Sequence, residues 1–216
     1  MKRLIIYDLD GTLVDTLEDI AKAANHMLRQ LGAPALPTRD IRGSVGRGVR
    51  QLVQHCLKSD DPTQIERGVT IYRAYYAQHL ADHSALYPGA RELLEHFKTR
   101  RQVVVTNKPN PFSRDLLVAL GVADYFLEIV GGDDGFPKKP DPSSLRALMA
   151  REGIAAAEAI MVGDSPVDVE AGRRAGVMTV GIAHGFSERS ELTAASPDAL
   201  LNNFEEFLTH AQREGW

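Results

Sequence analysis

Short apolar runs recur along the chain, at residues 4–7, 103–105, 127–130, 160–162 and 178–182. Most are rich in β-branched residues and nearly continuous rather than alternating, the pattern of strands covered on both faces of a parallel sheet. Segments of helical length with an apolar face separate them, at 90–99, 112–120, 143–152 and 167–175. This alternation predicts right-handed βαβ units, and hence an α/β protein with a doubly wound, mostly parallel sheet and a Rossmann-like core. Residues 16–86 break the pattern. Leu17, Ile20, Ala21, Ala24, Leu28 and Leu31 fall on one helical face, with Gly32 as a stop. Val49, Leu52, Val53 and Cys56 repeat that spacing, as do Ile65, Val69, Tyr72, Tyr76 and Leu80. No strand is expected in this stretch, and Pro88-Gly89 marks the return to alternation. The expected organisation is a core of residues 1–15 and 87–216 with an inserted all-helical cap over 16–86.

Polar residues stand where the strands end. Asp8 and Asp10 leave the first strand on the same side, because strand side chains alternate. Thr106-Asn107 follows the second run and Gly163-Asp164-Ser165 the fourth. Each of these alone reads as an ordinary turn. Ligands of open parallel sheets bind outside the carboxyl ends of the strands, so the coincidence of three such exits on one rim argues for a site. Two carboxylates on one face repel unless a cation lies between them, which fits a nucleophilic aspartate beside a second acid and a divalent metal. Ser165-Pro166 reads as a helix start, with Asp168 in the first turn, where the dipole favours an acid. A helix-stabilising and a functional role are both open for it. Lys139, held extended by Pro140, is the cation expected to balance the acids.

Bulk composition narrows the partners. The net charge of −4 over 216 residues gives no reason to expect nucleic acid or an anionic membrane. No apolar run approaches a membrane span, and the N-terminus lacks a secretory pattern, so a cytoplasmic protein is expected. Cys56 is the only cysteine; no intrachain disulfide is possible, and it reads as a small apolar residue. Homo-oligomerisation is left open, as is any role for His184.

The motifs resemble those of the haloacid dehalogenase superfamily. Asp8 to Thr12 is similar to its Asp-x-Asp-Gly-Thr opening. Thr106-Asn107, Lys139 within Lys138-Lys139-Pro140-Asp141-Pro142, and Gly163-Asp164-Ser165-Pro166-Val167-Asp168 follow in the family's order. The resemblance covers essentially the whole chain, and the helical insertion resembles the family's helical cap of the first type. Asp15-Thr16, Val45-Gly46-Arg47-Gly48-Val49, Lys108-Pro109, Gly131-Gly132-Asp133 and Phe136-Pro137 add a likeness to the phosphoglycolate phosphatases within it.

That resemblance implies a Mg²⁺-dependent phosphomonoester hydrolase acting through an aspartyl-phosphate on a small phosphorylated metabolite, 2-phosphoglycolate. It implies Asp8 as nucleophile and Asp10 as acid and base, with a proton kept on Asp10 by crowding among acids. Mg²⁺ would rest on the Asp8 carboxylate, the Asp10 backbone carbonyl and Asp164. Asp168 would stand behind them, orienting a water on the metal or Lys139. Thr106, the Asn107 backbone and Lys139 would hold the phosphate oxygens. Arg47, between two glycines of a cap loop, is a candidate partner for a substrate carboxylate and equally an exposed loop arginine. A hydrolytic dehalogenase fits poorly with an acid at Asp10, and no reactive setting for a Schiff base is visible at Lys22 or Lys58. The rival readings are a sugar phosphomutase resembling β-phosphoglucomutase, a sugar-phosphate or nucleotide phosphatase, and a catalytically dead binding module.

Overall fold

The strand β1 (Leu4–Tyr7) sets the architecture: four consecutive apolar residues, all fully buried. A computed structural model describes residues 1–216. Alternation sends Ile5 and Tyr7 into one apolar cluster and Leu4 and Ile6 into another on the opposite face, so an unbroken apolar run is what this position requires. β1 pairs in parallel with β4 (Arg101–Val105) on one side and β6 (Ala159–Gly163) on the other. Beyond β4 lies β5 (Glu128–Val130); beyond β6 lie β7 (Met178–Ile182) and β8 (Ala199–Leu201). The six strands are parallel, in the order β5-β4-β1-β6-β7-β8. The chain therefore winds outward from β1 in one direction, then crosses back and winds outward in the other. The reversal opens a crevice at the carboxyl end of β1, between the ends of β4 and β6.

The connecting helices α5 (Ala90–His96), α6 (Phe112–Ala119), α7 (Ser143–Glu152) and α8 (Pro166–Ala175) lie where the amphipathic segments predict them, with the first ending three residues early. β8 and the helices α9 (Arg189–Ala195) and α10 (Phe204–Arg213) complete the sheet edge and were not anticipated. Ala199–Leu201 is too short to show a period.

Between β1 and α5 the chain forms four helices, α1 (Leu17–Gln30), α2 (Thr38–Arg42), α3 (Val49–Leu57) and α4 (Pro62–His79). The faces read from the sequence are the buried ones: Ile20, Ala21, Ala24 and Leu28 on α1, Leu52, Val53 and Cys56 on α3, Ile65, Tyr72 and Tyr76 on α4. The expectation of no strand within residues 16–86 is corrected at one point, Ala85–Leu86. β2 (Val14–Asp15) and β3 (Ala85–Leu86) form a two-stranded antiparallel ribbon where the chain leaves and re-enters the sheet region. Two residues per strand are too few to leave a hydrophobic pattern. No helix is long and apolar enough to cross a membrane.

Candidate active site

Two strand ends and one helix start deliver the acids. Asp8 follows β1 directly and Asp164 follows β6, while Asp168 comes from the first turn of α8. All three are buried, and one carboxylate oxygen from each lies within 4.8 Å of the others. Lys139 is equally buried and reaches into the cluster, with Nζ 2.9 Å from Asp8 Oδ1 and 2.7 Å from Asp168 Oδ1. The hydrogen bond is directed at Asp168. Asp8 Oδ1 takes the same ammonium as an ion pair, and no other donor reaches it.

Asp164 and Asp168 are held from behind. Asp164 Oδ1 accepts from Thr12 Oγ1 at 2.7 Å and Oδ2 from the Phe186 amide at 2.7 Å. Backbone must approach closely here: a Cβ at Gly11 or Gly185 would stand 2.4 or 2.3 Å from Asp164 Oδ2, and Gly11 has φ +83°. Asp168 Oδ2 accepts from the Ser165 amide and hydroxyl at 3.1 and 2.6 Å while Oδ1 takes Lys139, so the helix-terminus role and the site role coexist in one carboxylate.

Electrostatics follow from this crowding. Three carboxylates against one ammonium leave a formal excess of two negative charges. Burial, then Asp168 and Asp8, pushes the Asp164 carboxyl up to about 8. Burial and Asp168 push Asp8 up to about 6, with Lys139 pulling in the opposite direction. Burial depresses Lys139, but Asp168 and Asp8 outweigh it and hold the ammonium above its ordinary value.

Asp10 is arranged differently. Its Oδ1 accepts from Thr16 Oγ1 at 2.8 Å and from Lys108 Nζ at 2.8 Å, and it is outside the carboxylate cluster. The expectation that acids crowd Asp10 is corrected: crowding falls on Asp164 and Asp8, and Asp10 faces a cation. Lys108 is a second buried lysine to which the sequence reading gave no role; it also donates to Tyr76 Oη of α4 at 2.6 Å. It stands three residues past β4, at the same rim that singled out Thr106 and Asn107.

Thr106 and Asn107 are both buried at the end of β4. The Asn107 side chain is a clamp. It donates to the carbonyl of Lys139 at 3.0 Å, accepts from the Lys139 amide at 2.9 Å, and donates to the carbonyl of Gly46 at 2.9 Å. It thus fixes the Lys139 backbone and ties the α2–α3 loop to the sheet. Arg42, also unforeseen, makes a second tie, donating to the carbonyls of Gly185 and Phe186 at 2.7 and 2.8 Å, next to the amide that holds Asp164. Arg47 is not drawn in. It is exposed and lines an outer cleft of about 140 Å³ with Ser165, Pro166 and Phe186. His184 Nε2 donates to the Thr12 carbonyl at 3.0 Å, and the ring stacks on Tyr87 at 4.0 Å; burial lowers its pKa, which suits a packing role beside the Asp8 loop. Burial also raises the Cys56 thiol to about 11, so it is an inert core residue.

A small cavity of about 30 Å³ lies between α4, the α2–α3 loop and the β4 exit, lined by Asp10 and Lys108 at its polar end. A larger groove of about 700 Å³ runs along α1 beside Glu18, Lys22 and Arg29, but none of Asp8, Asp10, Lys139 or Asp164 reaches it.

A parallel sheet whose central rim carries this buried carboxylate–lysine cluster points to one class of protein. The chain belongs to the haloacid dehalogenase-like hydrolase family, whose model matches residues 5–182. Within that family it is a phosphatase, similar to proteins named phosphoglycolate phosphatase. It is 36% identical to one from Vibrio parahaemolyticus over 95% of this chain and 94% of that protein. It is 37% identical to one from Neisseria gonorrhoeae over 96% and 92%. A crystal structure of a predicted phosphoglycolate phosphatase from Haemophilus somnus superposes with a TM-score of 0.92 at 29% identity, covering 97% of this chain and 98% of that one.

The Asn107 clamp has its own consequence. A Cβ at Gly132 would stand 2.3 Å from the Asn107 carbonyl oxygen. Gly132→Ala is expected to cost about 1–3 kcal/mol of stability by overpacking. It is also expected to lower kcat about tenfold or more, because displacing Asn107 shifts Lys139. Urea unfolding and phosphate-release kinetics measure the two effects; a fully active, equally stable variant would show that the clamp is not needed.

Proposed function

We propose that the chain hydrolyses 2-phosphoglycolate through a covalent phosphoryl-Asp8, with Mg²⁺ as cofactor and residues 16–86 as the cap that selects the substrate. The observation that carries this reading is the buried cluster at the sheet end: Asp8, Asp164 and Asp168 bring carboxylate oxygens within 4.8 Å of one another, with Lys139 Nζ 2.9 Å from Asp8 and 2.7 Å from Asp168. Three buried acids sharing one cation are costly to the fold, which points to a second cation and to chemistry rather than to structure alone.

Mg²⁺ fits the residues present. The donors are all carboxylate oxygens, the choice of a hard cation, and the formal excess of two negative charges matches a divalent ion. Asp8 and Asp164 would hold it with the Asp10 carbonyl, and Asp168 would steady Lys139. When bound, the ion neutralises the acids and the phosphate oxygens, so that one anion can approach another.

The protein's own groups do the rest. An Asp8 oxygen attacks phosphorus as the ester P–O bond breaks, and the leaving alkoxide takes a proton from Asp10. Water then attacks the phosphoryl group, Asp10 takes its proton, and the bond to Asp8 breaks to release phosphate. Lys139 and the Thr106 and Asn107 rim hold the phosphate oxygens. Lys108 and Thr16 orient Asp10. Tyr76, Arg42 and the α2–α3 loop close the site from bulk water. A cavity of about 30 Å³ beside Asp10 favours a small leaving group over a sugar or nucleoside. Phosphate release from 2-phosphoglycolate, compared with hexose phosphates and nucleoside monophosphates, tests the assignment; a preference for either of the latter would overturn it.

Metal removal carries a pH signature. Asp164 and Asp8 have folded-state values of about 8 and about 6, above the ordinary 3.8. The metal-free folded state therefore holds more protons than the unfolded chain between pH 4 and 8, so its stability falls as pH rises through that window. Activity is expected to vanish with EDTA and return with Mg²⁺. The rise in melting temperature on adding Mg²⁺ is expected to be larger at pH 8 than at pH 5, because protons compete with the ion for the same oxygens. Full turnover in metal-free buffer, or a Mg²⁺ increment independent of pH, would contradict this.

A further inference from the structure

We infer that the hydroxyl of Tyr72 and the ammonium of Lys108 form a subsite for a substrate carboxylate, so that the enzyme selects phosphate monoesters of two- or three-carbon hydroxy acids. This rests on the reading of Asp8 and Asp10 above and adds the groups that recognise the far end of the substrate.

The cavity beside Asp10 is walled mostly by apolar groups, among them Ile20, Val49, Leu52 and Phe112. Lys108 is the only cation on its lining. An ammonium has three donors, and two are used, on Asp10 Oδ1 at 2.8 Å and Tyr76 Oη at 2.6 Å. Tyr72 lines the same cavity from α4 and is 3% exposed, yet its hydroxyl makes no hydrogen bond within the chain. With no partner in the chain and a place on the cavity wall, that hydroxyl is open to the cavity and free to donate to an acceptor that enters it. Tyr72 and Tyr76 stack one helical turn apart, with ring centroids 5.5 Å apart and planes 14° from parallel, so the unpartnered hydroxyl belongs to the same aromatic pair that touches Lys108.

Charge and size decide what the acceptor is. Lys108 is already paired with Asp10, so a second, neutral donor is needed to hold a carboxylate there. Tyr72 supplies it. A leaving oxygen beside Asp10 places the rest of the leaving group in this cavity. About 30 Å³ is room for roughly one or two waters, which a –CH₂–COO⁻ group displaces and a hexose cannot enter with the helices closed. Tyr72 sits on α4 and Lys108 on the sheet rim, so a bound carboxylate also bridges the helical segment to the core. Arg47, exposed in the outer cleft, takes no part.

The test compares kcat/KM of the Mg²⁺-loaded enzyme for 2-phosphoglycolate and for ethyl phosphate, which has the same carbon count without the carboxylate. The unmodified enzyme is expected to prefer 2-phosphoglycolate by on the order of 10²-fold or more, since a site built to pair a polar group rejects the analogue lacking it. Tyr72→Phe keeps the ring stack and is expected to lower that preference about tenfold, chiefly through KM. Lys108→Met is expected to lower the preference further while slowing both esters, because it also touches Asp10. A preference within about threefold of unity in the unmodified enzyme, or one unchanged by Tyr72→Phe, would overturn the subsite while leaving the phosphatase reading intact. Absence of phosphate release from either ester would overturn that reading, and the subsite with it.

Discussion

Asp8→Asn is expected to reduce kcat for 2-phosphoglycolate by on the order of 10⁴-fold or more, the scale on which removal of an essential nucleophile acts. The amide is nearly the same size and keeps an oxygen at the same place, but it is a far poorer nucleophile. The same change is not expected to weaken the fold. Asp8 in its charged form is a buried anion beside Asp168, and that environment already pushes its carboxyl up to about 6. Removing the charge relieves repulsion among the three acids, while Lys139 keeps its hydrogen bond to Asp168 at 2.7 Å. In metal-free buffer at pH 8 the melting temperature of the variant is therefore expected to equal or exceed that of the parent. Phosphate-release assays and thermal unfolding at pH 8 separate the two effects. Residual activity within about tenfold of the parent would place the nucleophile elsewhere.

Lys139→Met is expected to damage both properties. The side chain is almost wholly buried and is the single cation among Asp8, Asp164 and Asp168. Removing one partner of a buried ion pair leaves an uncompensated charge and typically costs about 3–5 kcal/mol. Here two carboxylates lose their counter-ion at once, and the phosphate loses a positive contact in the transition state. A loss of stability in that range, with kcat reduced on the order of 10³-fold, is the expected result by urea unfolding at pH 7.5 and steady-state kinetics. Adding Asp168→Asn to Lys139→Met is expected to recover part of the stability and none of the activity, because it removes one orphaned charge without restoring the cation. A Lys139→Met protein as stable as the parent would mean that the acids are protonated and the lysine is not their counter-ion.

The arrangement also explains why the helical segment is fastened to the sheet at so many polar points. Arg42 reaches the carbonyls beside the Asp164 donor, Asn107 holds Gly46 and Lys139 together, and Lys108 joins Asp10 to Tyr76. Each fastening ends on or beside a residue to which the proposed mechanism gives a part.

Much of this was legible in the chain. The apolar run of residues 4–7, followed at once by Asp8 and Asp10, determined where a strand ends and which groups it presents, since a strand buried on both faces must be continuously apolar and its first polar residue marks its exit. The same logic located Thr106, Asn107 and Asp164, and the helical periods marked the buried faces of α1, α3 and α4. Contacts between elements far apart in sequence decided the rest. Whether Asp10 would meet acids or a lysine depended on Lys108, 98 residues away, and on Tyr76 of a different helix. Arg47 and Arg42 look alike in a loop-rich stretch, yet one faces solvent and the other grips the Phe186 loop. Local pattern specifies which face of an element is buried, because burial is a property of one segment and its period. It does not specify which charges become neighbours, because an ion pair is a property of two segments that only packing brings together.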